Sequence, residues 1–158
     1  MRVVNVENLI RNVKEMCIEA NHFLTDDMNQ ALKRAADAEK SPLGKKILCQ
    51  LQDNLDIAAE DQIPICQDTG MAVLFVEIGQ DVHVEGGLIT DAVNEGVRQG
   101  YREGYLRKSV VGDPIIRNNT GDNTPAVIHY DIVSGDRIKI TIAPKGFGSE
   151  NMSRIFML

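Results

Sequence analysis

The chain has 158 residues, 43% hydrophobic and 25% charged, the profile of one soluble globular domain long enough to bury a core without disulfides or metal. Seventeen basic against 23 acidic residues leave a net charge of −6, which argues against a broad nucleic-acid or anionic-membrane surface while leaving room for a local basic pocket. No apolar run reaches the length of a membrane span, and the first residues lack a signal-peptide pattern; with three cysteines, an odd number, the expected compartment is the reducing cytoplasm.

The first 60 residues read as helical. Val6, Leu9, Ile10, Val13, Met16, Cys17 and Ala20 share one face at 3.6 spacing. Thr25 followed by Asp26 and Asp27 is an N-cap with carboxylates in the first turn, and Met28, Ala31, Leu32 and Ala35 form a second stripe. Ser41-Pro42 starts a third helix with an apolar face of Leu43, Ile47, Leu51, Leu55 and Ala58.

The period then changes. Residues 72–79 (AVLFVEIG) read as a buried strand, with Val82–Glu85 as a short partner. Residues 88–105 return to helix, in which Gly96, Gly100 and Gly104 make a smooth strip that predicts close approach of another backbone. Residues 106–125 read as loop. Val127–Val133 and Arg137–Ile142 alternate around Ser134-Gly135-Asp136, which predicts a hairpin. A short helix start follows Lys145. The expected fold is α+β, a helical N-terminal portion packed on a small, mostly antiparallel sheet.

The densest polar cluster is Pro64-Ile65-Cys66-Gln67-Asp68-Thr69-Gly70, between a helix end and a buried strand. Cys66 there is a soft ligand or a nucleophile beside an amide, a carboxylate and a hydroxyl; the plain alternative is a turn with a small core thiol. Cys17 reads as core, and Cys49 has no metal-ligand neighbour at useful spacing. His22 reads as a cation at a helix C-terminus, while His83 and His129 alternate with apolar neighbours on strands. Lys145-Gly146-Phe147-Gly148-Ser149 follows a strand and opens a helix, a natural anion site, but it fits neither nucleotide fingerprint. Arg107-Lys108 and Arg117 are further anion partners.

Three stretches in this order, Cys66-Gln67-Asp68-Thr69-Gly70, then Gly121-Asp122-Asn123-Thr124-Pro125-Ala126, then Lys145-Gly146-Phe147-Gly148-Ser149-Glu150-Asn151, resemble the class I fumarate hydratases and L-tartrate dehydratases, the iron–sulfur hydro-lyases. The resemblance implies a 4Fe–4S cluster held by three cysteines, with Cys66 matching one metal ligand. It implies that Gln67, Asp68, Arg107 and Gly146 bind a small dicarboxylate substrate, with Asp68 also catalytic in proton transfer and Arg117 the rival of Arg107. Asp122, Asn123 and Thr124 are expected to build their loop rather than touch substrate. Family α subunits continue further, and the other two cluster cysteines lie in that later part. Residues 1–158 therefore read as the N-terminal part of the α-subunit catalytic domain. A β subunit or C-terminal domain is the implied partner, in an oligomer without nucleic acid or membrane. Apolar groups around Phe156, Met157 and Leu158 are expected to be uncovered. The reaction expected is reversible hydration of fumarate to (S)-malate, with tartrate dehydration as the alternative. The competing readings are a metal-free anion-binding module and a purely structural fragment.

Overall fold

The computed structural model of the chain describes residues 1–157, with 149 and 150 described by their backbone alone; Leu158 lies outside the described residues. Ten elements follow in order: β1 (Arg2–Asn5), α1 (Val6–His22), α2 (Asp26–Ala38), α3 (Pro42–Asp61), β2 (Met71–Gly79), β3 (Val82–Glu85), α4 (Ile89–Glu103), β4 (Val127–Val133), β5 (Ile138–Lys145) and α5 (Gly148–Met152). The α+β expectation holds. Helix boundaries follow local chemistry: Asn5 caps α1 by accepting the Glu7 N–H at 2.8 Å, and Ser41 caps α3 with Pro42 in its first turn.

The sheet differs from expectation. It is mixed: β2 lies at the centre of the order β4-β2-β5, parallel to β4 and antiparallel to β5. The predicted hairpin of residues 127–142 therefore does not pair with itself. Its short connection spans the central strand instead, and Gly79 makes room for it, since a Cβ there would lie 2.5 Å from the Gly135 carbonyl oxygen. Val82–Glu85 does not partner the preceding strand; it pairs in parallel with β1, a strand formed by residues expected to be helical.

One sheet face carries the core. Ala72, Leu74 and Val76 from β2 meet Val13 and Cys17 of α1, with Val93, Val97 and Tyr101 of α4. Each large apolar side chain fully buried here contributes about 1.5–3 kcal/mol. On the opposite face Phe75 stacks on His129 at 5.0 Å, and Lys139 Nζ reaches Glu77 Oε1 at 2.7 Å. The expected stripes of α2 and α3 are largely uncovered: Met28, Leu43, Ile47 and Leu51 are all exposed, and only Ala36 and Ala58 are buried. Phe156 and Met157 are exposed, as expected.

The glycine strip does what its spacing predicts. A Cβ at Gly96 would lie 2.7 Å from Val13 Cβ, and one at Gly100 would lie 2.7 Å from Cys17 Cβ and 2.9 Å from the Lys14 carbonyl oxygen. Alanine at Gly100 gains about 1 kcal/mol of helix propensity. The clash opposes it, because one obstacle is the α1 backbone and the other a core side chain with no exposure. Overpacking costs about 1–3 kcal/mol, so Gly100→Ala is expected to lower stability, read as a lower urea midpoint at unchanged slope. A raised midpoint would show that α1 gives way.

Candidate functional site

The Cys66 loop hangs between α3 and β2 and is tied at its start. The Ile65 N–H donates to the Asn21 carbonyl at 2.9 Å, and Asn54 Nδ2 donates to the Ile65 carbonyl at 2.9 Å. Cys66 and Gln67 are exposed beyond these anchors. The Cys66 sulfur accepts the Asp68 N–H at 3.5 Å and lies 3.4 Å from Gln67 Oε1, so the thiol is held against its own loop but open to solvent.

Asp68 is half-buried, and the glycine-rich segment wraps its carboxylate. Gly148 N–H donates to Asp68 Oδ2 at 3.1 Å across 80 positions of sequence. A Cβ on Gly146 would lie 2.7 Å from the same oxygen, so a side chain at Gly146 would displace Asp68. The anion site expected at Lys145–Ser149 is thus filled by the chain's own carboxylate. Gly70 closes the same junction at φ +63; a Cβ there would lie 2.0 Å from the Lys145 carbonyl oxygen, which no other residue could tolerate. Lys145 Nζ sits 4.4 Å from the Phe147 ring centre.

Arg107 joins through its backbone. Buried Thr69 donates from Oγ1 to the Arg107 carbonyl at 3.1 Å, while the Thr69 carbonyl accepts Tyr101 OH at 3.0 Å. The Arg107 side chain is exposed and forms no ion pair among the described residues. Its rival Arg117 lies near the tip of an excursion closed at its base by the Val111–Asn119 bridge, with Nε donating to the Pro114 carbonyl at 3.2 Å. The structure therefore ties Arg107, rather than Arg117, to the Cys66–Gly70 loop.

Asn123 knits these pieces together. It is completely buried at φ +61. Its Oδ1 accepts the N–H groups of Ser109 at 2.7 Å and Val110 at 3.1 Å, and its Nδ2 donates to the Gly70 carbonyl at 3.0 Å. Asp122 accepts Arg98 Nε at 2.8 Å and both the N–H and hydroxyl of Thr124. These bonds, above all the one from Arg98, hold the Asp122 carboxyl well below the usual carboxylate range. The sign follows: a lowered folded pKa adds stability above the unfolded value near 3.9, lost as pH falls further. The melting-temperature gap between the wild type and Asp122→Asn is expected to be full at neutral pH and to narrow below about pH 4. The effect is modest because Asp122 is partly solvent-screened. A gap unchanged into strong acid would contradict it.

The three cysteines separate cleanly. Cys17 has no exposure, and burial pushes its thiol up to about 12; Cys49 and Cys66 are exposed. A thiol at about 12 presents on the order of 10³-fold less thiolate than a free cysteine. Iodoacetamide is therefore expected to label Cys66 long before Cys17, read by peptide mass spectrometry; faster labelling of Cys17 would contradict the packing described. Among the described residues no group of three or more His, Cys, Asp or Glu is placed to hold a metal. His22 departs from its expected role: it is buried, and loss of water lowers its pKa, which works against a cation at the α1 terminus. Tyr101 escaped the sequence reading, which also took Thr69 only as a hydroxyl of the Cys66 cluster and not as the link to Arg107; the signal for Tyr101 was a tyrosine on an apolar helix face, whose hydroxyl needs a partner when buried.

Similarity to known proteins converges with this geometry. The family profile described as "Fumarate hydratase (Fumerase)" matches residues 10–158. A "Putative L(+)-tartrate dehydratase subunit alpha" of Methanocaldococcus jannaschii is 38% identical over 152 residues, covering 92% of this chain and 53% of that protein. "Fumarate hydratase class I, anaerobic" of Escherichia coli is 37% identical over 122 residues, covering 76% of this chain and 22% of that protein. "L(+)-tartrate dehydratase subunit alpha" of Escherichia coli is 30% identical over 128 residues, covering 79% and 42%. The chain thus spans about half the length of the first of these relatives and less of the others.

Proposed function

Because the chain belongs to the fumarate hydratase (Fumerase) family, we propose that it forms part of a hydro-lyase interconverting fumarate plus water and (S)-malate. The observation that supports this most is the junction at Asp68, where a loop carrying a carboxylate and an exposed thiol meets an arginine-bearing segment and a glycine-rich segment from distant parts of the sequence.

Each residue has work suited to its chemistry. The Arg107 guanidinium offers a planar fork to one substrate carboxylate, and Gln67 offers an amide donor and acceptor beside it. Asp68 is fixed through Oδ2 by the Gly148 N–H, which leaves Oδ1 to exchange a proton with substrate. The space at Gly146 is taken by that carboxylate, so Gly146 serves the site by leaving room for Asp68. Holding the dicarboxylate by Arg107 and Gln67 beside Asp68 places its reacting carbons, and orientation is a large part of the rate.

The family resemblance adds a 4Fe–4S cluster. Cys66 fits as one ligand, being an exposed thiol on a loop beside Gln67 and Asp68. Buried Cys17 does not fit, and no group of three or more possible ligands stands among the described residues, so the reading needs further thiolates from another polypeptide segment. When bound, such a cluster supplies a Lewis acid for the leaving hydroxyl. The partner proposed is a β subunit or C-terminal domain within an oligomer, a reading favoured by relatives whose names specify a subunit alpha. The described helices include none long and apolar enough to cross a membrane, and a cytoplasmic setting is proposed from the free thiols.

The test is turnover by the assembled enzyme, purified without oxygen together with its partner polypeptide. Fumarate formed from (S)-malate, at a higher kcat/KM than oxaloacetate from L-tartrate, is the expected result. The reverse preference would assign the tartrate activity carried in two relatives' names, and turnover of neither would overturn the reading.

A further inference from the structure

We infer that the free edge of β5 and the flank of α1 form a docking groove for an extended partner polypeptide that is acidic at one end and apolar along the rest. Among the described residues β5 pairs with β2 alone and β1 with β3 alone, so each leaves one backbone edge unpaired there. Between those edges and α1 lies a groove of about 750 Å³ with Leu9 and Ile140 among its lining residues. It continues along the same helix and strand into a smaller apolar trough lined by Met16, Phe23 and Ile142. Met16 lines both, so the two hollows adjoin at that side chain.

Charge says what occupies it. Arg2, Arg11 and Arg137 line the wide end, all exposed, and none makes an ion pair among the described residues. In a chain of net charge −6, three unpaired arginines around one apolar groove complement an anionic partner. An unpaired strand edge selects an extended segment, because added main-chain bonds bind it while alternate side chains fill the trough. A helix would leave the edge of β5 unsatisfied. This inference concerns a surface separate from Cys66 and Asp68, and it stands whichever substrate the enzyme uses.

The probe is a fluorescent strand-length peptide of about ten residues, with glutamates at one end followed by alternating valine and threonine. Binding to the chain is read by anisotropy, and its location by amide hydrogen exchange. Expected are saturable binding, new protection of β5 amides, and weakening of about tenfold or more by Arg11→Glu combined with Arg137→Glu. The same peptide N-methylated at alternate residues is expected to lose binding to a similar degree. Both arginines are exposed, so their reversal leaves the core intact. Equal binding of the N-methylated peptide, or protection confined to another surface, would overturn the inference. So would absence of binding, whether sedimentation shows the chain as a monomer or as a dimer.

Discussion

Asp68→Asn in the assembled enzyme is expected to lower kcat by about 10²–10⁴-fold, the range for loss of a positioned proton-transfer group. The substitution is chosen because asparagine keeps an oxygen that can accept the Gly148 N–H, so the Asp68–Gly148 contact survives while the exchangeable charge is lost. KM is expected to change far less than kcat, since the substitution leaves the proposed substrate contacts of Arg107 and Gln67 in place. A rise in KM with kcat intact would make Asp68 a substrate-positioning group instead. An unchanged kcat/KM would remove it from the site. Arg107→Lys offers the complementary contrast, because a single ammonium lacks the fork and weakens binding first.

Asn123→Ala is expected to have the largest structural effect of any single truncation in the site. It strands the N–H groups of Ser109 and Val110 and the carbonyl of Gly70. At about 1–3 kcal/mol for each group left unpaired, the loss sums to about 3–9 kcal/mol. That is a large share of the 5–15 kcal/mol that holds a typical domain together. Asn123→Asp keeps the acceptor for both N–H groups; below about pH 4, where its carboxyl is protonated and no charge is buried, it loses at most the donor to Gly70 and is expected to be clearly milder. Denaturant midpoints check the ranking. Equal losses for the two variants would mean that the bond to Gly70, rather than the pair to 109 and 110, carries the residue's effect.

The contrast between what was legible in the sequence and what was not has a physical basis. The α1 stripe, the β2 run and the glycine strip were legible because each is a periodic signal whose partner surface lies within the described chain. The order of strands was not. Ser134-Gly135-Asp136 is good hairpin chemistry, yet periodicity in β4 and β5 carries no information about a third strand lying between them. Only Gly79, bare where the connection passes over it, hints at the insertion. The exposed faces of α2 and α3 show the reverse limit: an apolar stripe says that a face is suited to burial and not what covers it. Within the candidate site, Cys66 and Asp68 stand in a recognisable motif, and Arg107 is given its substrate role by the resemblance alone. Thr69 and Tyr101 act through single hydrogen bonds spanning more than 30 positions, and no local pattern encodes those.

The proposal that Cys66 is a cluster ligand is most directly tested by iron and labile-sulfide analysis of the assembled enzyme, purified without oxygen, in wild-type form and as Cys66→Ser. The wild type is expected to hold about four irons per α-type chain, following a cubane with three thiolate ligands. The variant is expected to lose most of that iron while circular dichroism and the melting temperature of residues 1–158 stay close to wild type, since Cys66 is exposed and supports no core contact. Full iron content in Cys66→Ser would contradict the ligand assignment and with it the placement of the substrate residues around that loop.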